Sequence, residues 1–336
     1  MQIAISLSLA LLPVLVFLVA LVLIDSYKLV PLRWIIGAIF VGCVAAFVCF
    51  RINPWLQDIF DMSRYGFSRY VAPANEEFFK ALFLVYLIRG KRVAFMVDAS
   101  IYGFAIGAGF AIIENLHYHT LIDDRSMLVW VVRGFGTAIM HGGVTAIMGI
   151  VTVLYASRQR SNQWIVYIPG LLLATVIHSF FNHFFIPPEW SPPVFLLVLS
   201  IVVALVFRAS EKKTRDWLGV RFDTDAELLE MINTGKTKES RVGEYLKSLQ
   251  TRFPGAVVAD MLCMLRIHLE LSVRAKGILL MREAGFKSQT DPDVEERLVE
   301  LKYLEKSIGK TGLLAISPIL NMSDKELWQL HMLGRQ

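Results

Sequence analysis

The chain is 336 residues long, 55% apolar and only 19% charged, with a formal net charge of +5 and a mean hydropathy of +0.53. Such a balance excludes an ordinary soluble domain, and no basic stripe or nucleic-acid motif accompanies the positive charge, so DNA and RNA are set aside as partners. Charge is unevenly spread, with 40 of the 63 Lys, Arg, Asp and Glu residues after residue 207, which divides the chain into an apolar domain, 1–207, and a soluble one, 208–336.

A bilayer-crossing helix needs about 20 mostly apolar residues, because lipid offers backbone groups no hydrogen bonds. In chain order the candidate spans are 3–24, 34–50, 72–88, 97–116, 128–156, 164–186 and 193–207. The first lacks a basic leader, and its apolar run is too long for a signal peptide, so it is read as a retained span. Cys43 and Cys49 lie on the second span and Cys263 in the tail, a distribution that suits small buried hydrophobes rather than a disulfide framework or a metal site. Seven spans place the termini on opposite sides. One set of loops carries eleven Lys or Arg, within 28–33, 89–92, 158–160 and 208–215, and the other carries four: Arg51, Arg64, Arg69 and Arg125. Basic loops stay in the cytoplasm, so the N-terminus is expected outside and the C-terminal domain in the cytoplasm. The expected fold is all-α: a polytopic transmembrane helical bundle of about seven spans with a C-terminal soluble helical domain.

Ionisable groups inside membrane spans are costly and default to functional hypotheses. The third span opens Asn75-Glu76-Glu77-Phe78-Phe79-Lys80. On a helix Lys80 lies one turn from both carboxylates, so it neutralises one and leaves the other available for proton chemistry. The fourth ends Phe110-Ala111-Ile112-Ile113-Glu114-Asn115, after small residues (Gly103, Ala105, Gly107, Ala108, Gly109) that permit close helix approach. The fifth carries His141 ahead of Gly142 and Gly143; the sixth carries His178 and Asn182, four apart and therefore on one face. In the topology chosen by loop charge alone, Glu76, Glu77, Glu114, His178 and Asn182 fall in the outer half of the membrane, with His141 somewhat deeper. Taken singly, these groups read as an interfacial ion pair, a helix end, a packing histidine and interhelical glue. Four spans presenting complementary groups at one level is what points to a site. His117, His119 and His183 read as interfacial bystanders, and Arg133 as a counter-ion to Asp123 or to a site carboxylate.

Together these residues resemble the PrsW family of membrane-embedded proteases, which belongs in one superfamily with the type II CAAX prenyl endopeptidases and bacteriocin-processing proteases. The family pattern is E-E-x-x-K, F-x-x-x-E, an intramembrane histidine, then H-x-x-x-N. It stands here as Glu76-Glu77 to Lys80, Phe110 to Glu114, His141, and His178 to Asn182, in order and each on its own span. The resemblance covers about residues 70–185 and leaves the tail unmatched. It implies an intramembrane endopeptidase that cleaves a membrane-anchored protein, such as an anti-sigma-factor-like regulator, near the outer leaflet. The chemistry would be water attack on a peptide carbonyl, with Glu76 or Glu77 as general base and His178 assisting, and Asn182 donating to the developing oxyanion. In the metalloprotease version Glu114, His141 and His178 would bind Zn2+, three protein ligands with an open position. There is no H-E-x-x-H, and that version and a metal-free glutamate mechanism both stay open. The rival readings are a catalytically silent membrane scaffold or chaperone and a proton-coupled transporter. The intact Glu76, Glu77, Glu114 and His178 weigh against the first, and the absence of internal repeats against the second.

The tail reads as helical. Pro254 opens a segment through Gly285 with Val257, Met261, Met264, Ile267 or His268, and Leu271 in a helical stripe. Thr290-Asp291-Pro292 starts another, along which Val294, Leu298, Leu301, Leu304 and Ile308 recur at spacings of three and four. Ser323 with Glu326 suits a capping box for a last helix. No catalytic constellation stands out, so the expected role is regulatory, by docking a partner or by self-association.

Overall fold

The computed structural model describes residues 2–121, 126–158, 164–236, 240–286, 293–320 and 324–333. Among these there is no strand, and the elements are helices α1 Gln2–Ile24, α2 Leu32–Ile59, α3 Arg64–Gly66, α4 Ala72–Arg89, α5 Met96–Leu121, α6 Met127–Val131, α7 Ile139–Arg158, α8 Ile168–Asn182, α9 Ser191–Asn233, α10 Arg241–Leu249, α11 Gly255–Glu283, α12 Asp293–Leu320 and α13 Asp324–Leu333. A π-helical turn, Phe67–Val71, joins α3 to α4, and a second π-helical stretch, Val132–Ala138, joins α6 to α7. Six helical stretches are long and apolar enough to cross a membrane: Ile3–Ile24, Leu32–Ile59, Met96–Leu121, Met127–Ala156, Trp164–Asn182 and Ser191–Asn233. The expected third span, α4, is 18 residues long and holds Glu76, Glu77, Lys80 and Arg89, whereas each of those six contains an 18-residue stretch with at most two charged residues; Glu77 and Lys80 meet each other inside the bundle. The chain is a multi-pass membrane protein. Asp123, Arg125, Arg160, the Thr290-Asp291-Pro292 start and Ser323 lie outside the described residues.

The chain divides into two compact units, Met1–Glu211 and Lys212–Gln336. At the centre of the first runs α5, whose residues from Met96 to Ala111 are all buried. Its start is held by Asp98, whose carboxylate reaches back to accept from the backbone N–H groups of Ala94 (2.8 Å) and Phe95 (2.7 Å), the two residues just ahead of the helix, in the manner of a capping box. Its packing on α7 and α2 is the most extensive in the molecule, and small residues make it so. A Cβ on Gly107 would stand 2.2 Å from the His141 carbonyl oxygen, and one on Gly109 would stand 2.0 Å from that of Ile39. Between helices in lipid, where tails are as apolar as leucine, this close approach supplies the van der Waals contact that drives association.

In the second unit the predicted stripes face inward: Met261, Met264, Ile267, His268 and Leu271 of α11 are buried, as are Val294, Leu301, Leu304 and Ile308 of α12. Val257 and Leu298 are only half-buried. One polar network lies within this apolar interior. Lys276 Nζ, fully buried, donates to Asp225 Oδ2 (2.5 Å) and Ser272 Oγ (2.9 Å), and Gln329 Nε2 donates to Ser272 Oγ (2.8 Å).

Two expected outcomes follow from this packing. Gly107→Val should destabilise the membrane domain by about 3 kcal/mol or more, since neither backbone can yield. Gly37→Ala, where nothing lies within 4 Å of the added carbon, should change stability by less than about 1 kcal/mol. Thermal midpoints of the two purified variants in detergent check both. In the tail, burial is the main force holding His268 below its ordinary value of 6.5, at about 4. The unfolded chain therefore takes up the proton first, and the second unit should lose up to about 3 kcal/mol as pH falls from about 6.5 to 4. His268→Leu should flatten that dependence, read by hydrogen exchange of the α11 amides in the full chain.

Candidate active site

Four helices and one π-helical stretch bring the ionisable side chains together. From α4, Glu77 and Lys80 point inward, one turn apart, and both are 0% exposed, with Lys80 Nζ 2.5 Å from Glu77 Oε1. Glu76, the adjacent residue, points about 100° away around the helix and stays 13% exposed. From α8, His178 Nδ1 lies 2.8 Å from Glu77 Oε1 and its Nε2 lies 3.9 Å from Glu76 Oε2. From α7, His141 places Nδ1 3.3 Å from Lys80 Nζ and Nε2 3.0 Å from Glu114 Oε2 on α5. The two imidazoles meet edge to face, with centroids 4.8 Å apart.

The partners settle which ring nitrogen carries the proton. An ionised carboxylate only accepts and an ammonium only donates. His178 therefore donates through Nδ1–H to Glu77 and keeps its Nε2 lone pair toward Glu76. His141 donates through Nε2–H to Glu114 and receives Lys80 on Nδ1. Further residues hold these in place. Thr145 Oγ1 donates to the His141 carbonyl (2.9 Å) and lies 3.4 Å from Glu77 Oε2. Asn53 of α2 donates through Nδ2 to Glu76 Oε1 (3.2 Å), and its Oδ1 accepts from Asn75 Nδ2 (2.7 Å). Arg133, in the second π-helical stretch, sets Nη2 3.4 Å from Glu114 Oε2, donates through Nε to Asn115 Oδ1 (3.0 Å) and stacks over Tyr118.

All five predicted acid and imidazole residues, Glu76, Glu77, Glu114, His141 and His178, thus share one contiguous cluster. The sixth, Asn182, stands beside it: its Nδ2 donates to the Ser68 carbonyl (2.8 Å). Of the two roles read for Arg133, the structure displays the site-carboxylate one. Asn53 and Thr145 went unread in the sequence. A carboxamide near the end of an apolar span was the available signal for Asn53, whereas Thr145 carries none, since threonine is common in membrane helices. His117 stacks on Phe50, and His119 bonds Ser6 Oγ, both away from the cluster.

The metal-ligating atoms that converge, all within 4.8 Å of one another, belong to Glu76, His141 and His178. Two zinc–ligand bonds end to end span about 4 Å, so a pair at the upper end of that range would have to close by up to about 1 Å around an ion. Two imidazoles and a carboxylate are a catalytic zinc donor set, and Glu77 on His178 Nδ1–H is the carboxylate–histidine support such ligands use; His141 would offer Nδ1 to an ion only in exchange for the Lys80 ammonium that occupies it here. Three carboxylates against the two cations Lys80 and Arg133 leave one negative charge. The metal set expected from the sequence was Glu114, His141 and His178; Glu114 Oε2 lies 3.0 Å from His141 Nε2, and Glu76 is the carboxylate whose oxygen lies within 4.8 Å of a nitrogen of each imidazole.

A family model described as PrsW family intramembrane metalloprotease matches residues 30–208. That is more than half of the chain, and the chain belongs to the PrsW family. No curated protein and no solved structure matches it. The family supports an intramembrane protease, and its description implies a metal that Glu76, His141 and His178 could hold.

Breaking a buried ion pair by removing one partner costs about 3–5 kcal/mol, because the other charge is left unmet. Lys80→Met should therefore lower the thermal midpoint and the yield of folded protein, and Glu77→Gln added to Lys80→Met should recover part of the loss. A single Lys80→Met variant as stable as wild type would show that Glu77 is not held as an anion by this pair.

Proposed function

We propose that this chain is an intramembrane endopeptidase that hydrolyses a membrane-anchored protein, of the kind represented by an anti-sigma-factor-like regulator, near the outer leaflet. The observation that carries the reading is the convergence of three carboxylates and two histidines from four helices, with only part of the cluster accessible. Glu77, Lys80, His141 and His178 are sealed, at 0–2% exposure, while Glu76 and Glu114 remain 13% and 16% exposed. A substrate carbonyl and a water therefore meet Glu76 and Glu114 first, backed by a network that cannot shift without exposing a charge.

The sealed layer orients and the open layer reacts. Glu77, anchored by Lys80, fixes the His178 tautomer so that its Nε2 lone pair faces Glu76 Oε2. The 3.9 Å between these two acceptors is too long for a direct bond and suits a water that donates one hydrogen to each. Glu76 Oε1 is held by Asn53, which leaves Oε2 to take the proton as the water attacks, with His178 sharing the charge. Glu114, fixed by Arg133, holds His141 in the same way. Glu76, His141 and His178 are the residues that would hold a metal, and a divalent ion bound there would acidify water and polarise the peptide carbonyl. The loop charges support an external N-terminus and a cytoplasmic tail, which sets the site toward the outer face. The helical tail is proposed to dock a partner or a second copy.

The test is proteomics on membranes from cells expressing wild type, Glu77→Gln or His178→Ala at matched levels. One membrane-anchored protein should accumulate uncut in both variants. Identical cleavage products in all three strains, with a cellular phenotype still lost in the variants, would sink the protease reading. For the metal, wild type purified in detergent should hold about one divalent ion per chain by elemental analysis, and the His141→Ala/His178→Ala variant close to none. Full cleavage by metal-stripped wild type would remove the metal from the scheme.

A further inference from the structure

Two side chains of α8 reach the π-helical turn that leads into α4. Ser179 Oγ donates to the Arg69 carbonyl (2.6 Å) and Asn182 Nδ2 to the Ser68 carbonyl (2.8 Å), so two successive carbonyls of Phe67–Val71 each receive one side-chain donor. A π turn is wound wider than the α-helix around it, with i→i+5 bonds, and such turns occur frequently at functional sites. Rewinding this one to α geometry would turn one flank against the other by about one residue's step, roughly 100°. Glu76 and Glu77 lie five and six residues beyond Val71 on the same continuous backbone. His178 lies immediately before Ser179 on the helix that supplies the donors.

We infer that Ser179 and Asn182 are positioning residues. They clasp the π turn and thereby set the rotation of α4 that brings Glu77 to 2.8 Å and Glu76 to 3.9 Å from His178. The inference rests on the protease reading of the site and gives Asn182 a role on the backbone rather than on the substrate. Because the clasp and the catalytic imidazole share one helix, the position of α8 sets the imidazole and the carboxylate frame together.

The size of a single loss decides nothing. Displacing catalytic groups by about 1 Å costs about 100-fold in rate, and losing an oxyanion donor costs about 100- to 1000-fold. The experiment is therefore hydrogen exchange at residues 67–72 in the full-length protein in detergent, paired with cleavage of the membrane protein that Glu77→Gln leaves uncut. Asn182→Ala and Ser179→Ala should each speed exchange in that turn, and Ser179→Thr, which keeps the hydroxyl, should restore both protection and cleavage. The rate loss of the double variant should fall well short of the product of the single losses. Wild-type protection in Asn182→Ala with cleavage abolished, or rate losses that multiply in full, would overturn the clasp and return Asn182 to the oxyanion. If Asn182→Ala is not recovered folded, Ser179→Ala and Ser179→Thr carry the exchange measurement alone. A wild type with no cleaved protein would count against the protease reading, while the exchange data would still judge the clasp.

Discussion

Glu77 and Lys80 set a negative and a positive charge side by side with both side chains 0% exposed, and the groups around them answer that cost. Removing a charge from water carries an effective penalty of several kcal/mol per ion even in relaxed proteins, and their mutual attraction offsets it only when the remaining hydrogen-bonding capacity is met. Here it is met from two other helices. Lys80 also reaches His141 on α7, and Glu77 also receives His178 from α8 and lies beside Thr145. The pair cannot be satisfied by α4 alone, so α4, α7 and α8 must assemble around it. The contacts that close these helices on one another are also the contacts that build the site.

Close packing makes those distances attainable. A bulkier residue at Gly107 would hold α5 away from the backbone of α7 at His141 itself, and the bond from His141 to Glu114 on α5 depends on that approach. The result is a cluster in two layers, a sealed one that fixes tautomers and an accessible one built on Glu76 and Glu114. Preorganisation of this kind lets polar groups act at full strength, since nothing reorganises as charge develops.

The tail offers an instructive contrast. Lys276, fully buried, pairs with Asp225, 16% exposed, and Ser272 braces both, yet among the described residues no second carboxylate joins this pair. His268 is close enough to feel both charges and is kept neutral by burial. A buried ion pair specifies how helices register; it becomes a reactive site only where partners of graded exposure surround it. The same residue types therefore read differently in the two units.

Much of this was legible in the linear chain. Hydropathy and loop charge determined the helical membrane class, because a span must be long, apolar and internally bonded. The motifs Glu76-Glu77 to Lys80, Phe110 to Glu114, His141, and His178 to Asn182 carried the resemblance to the family, and helical periodicity, a property of local sequence, put the members of each spaced motif on one face. Tertiary structure alone decided who touches whom. Glu76 rather than Glu114 joins the two histidines in the converging donor set, since Glu114 is taken by His141 and Arg133. Asn53 comes from α2, Thr145 from a face of α7 that no pattern marks, and Asn182 turns to a backbone carbonyl 114 residues away in sequence. The π turns were equally unreadable, since one extra residue in a helical turn leaves no mark on composition. Contacts between helices depend on rotation and depth, and these are fixed only when all the helices pack at once.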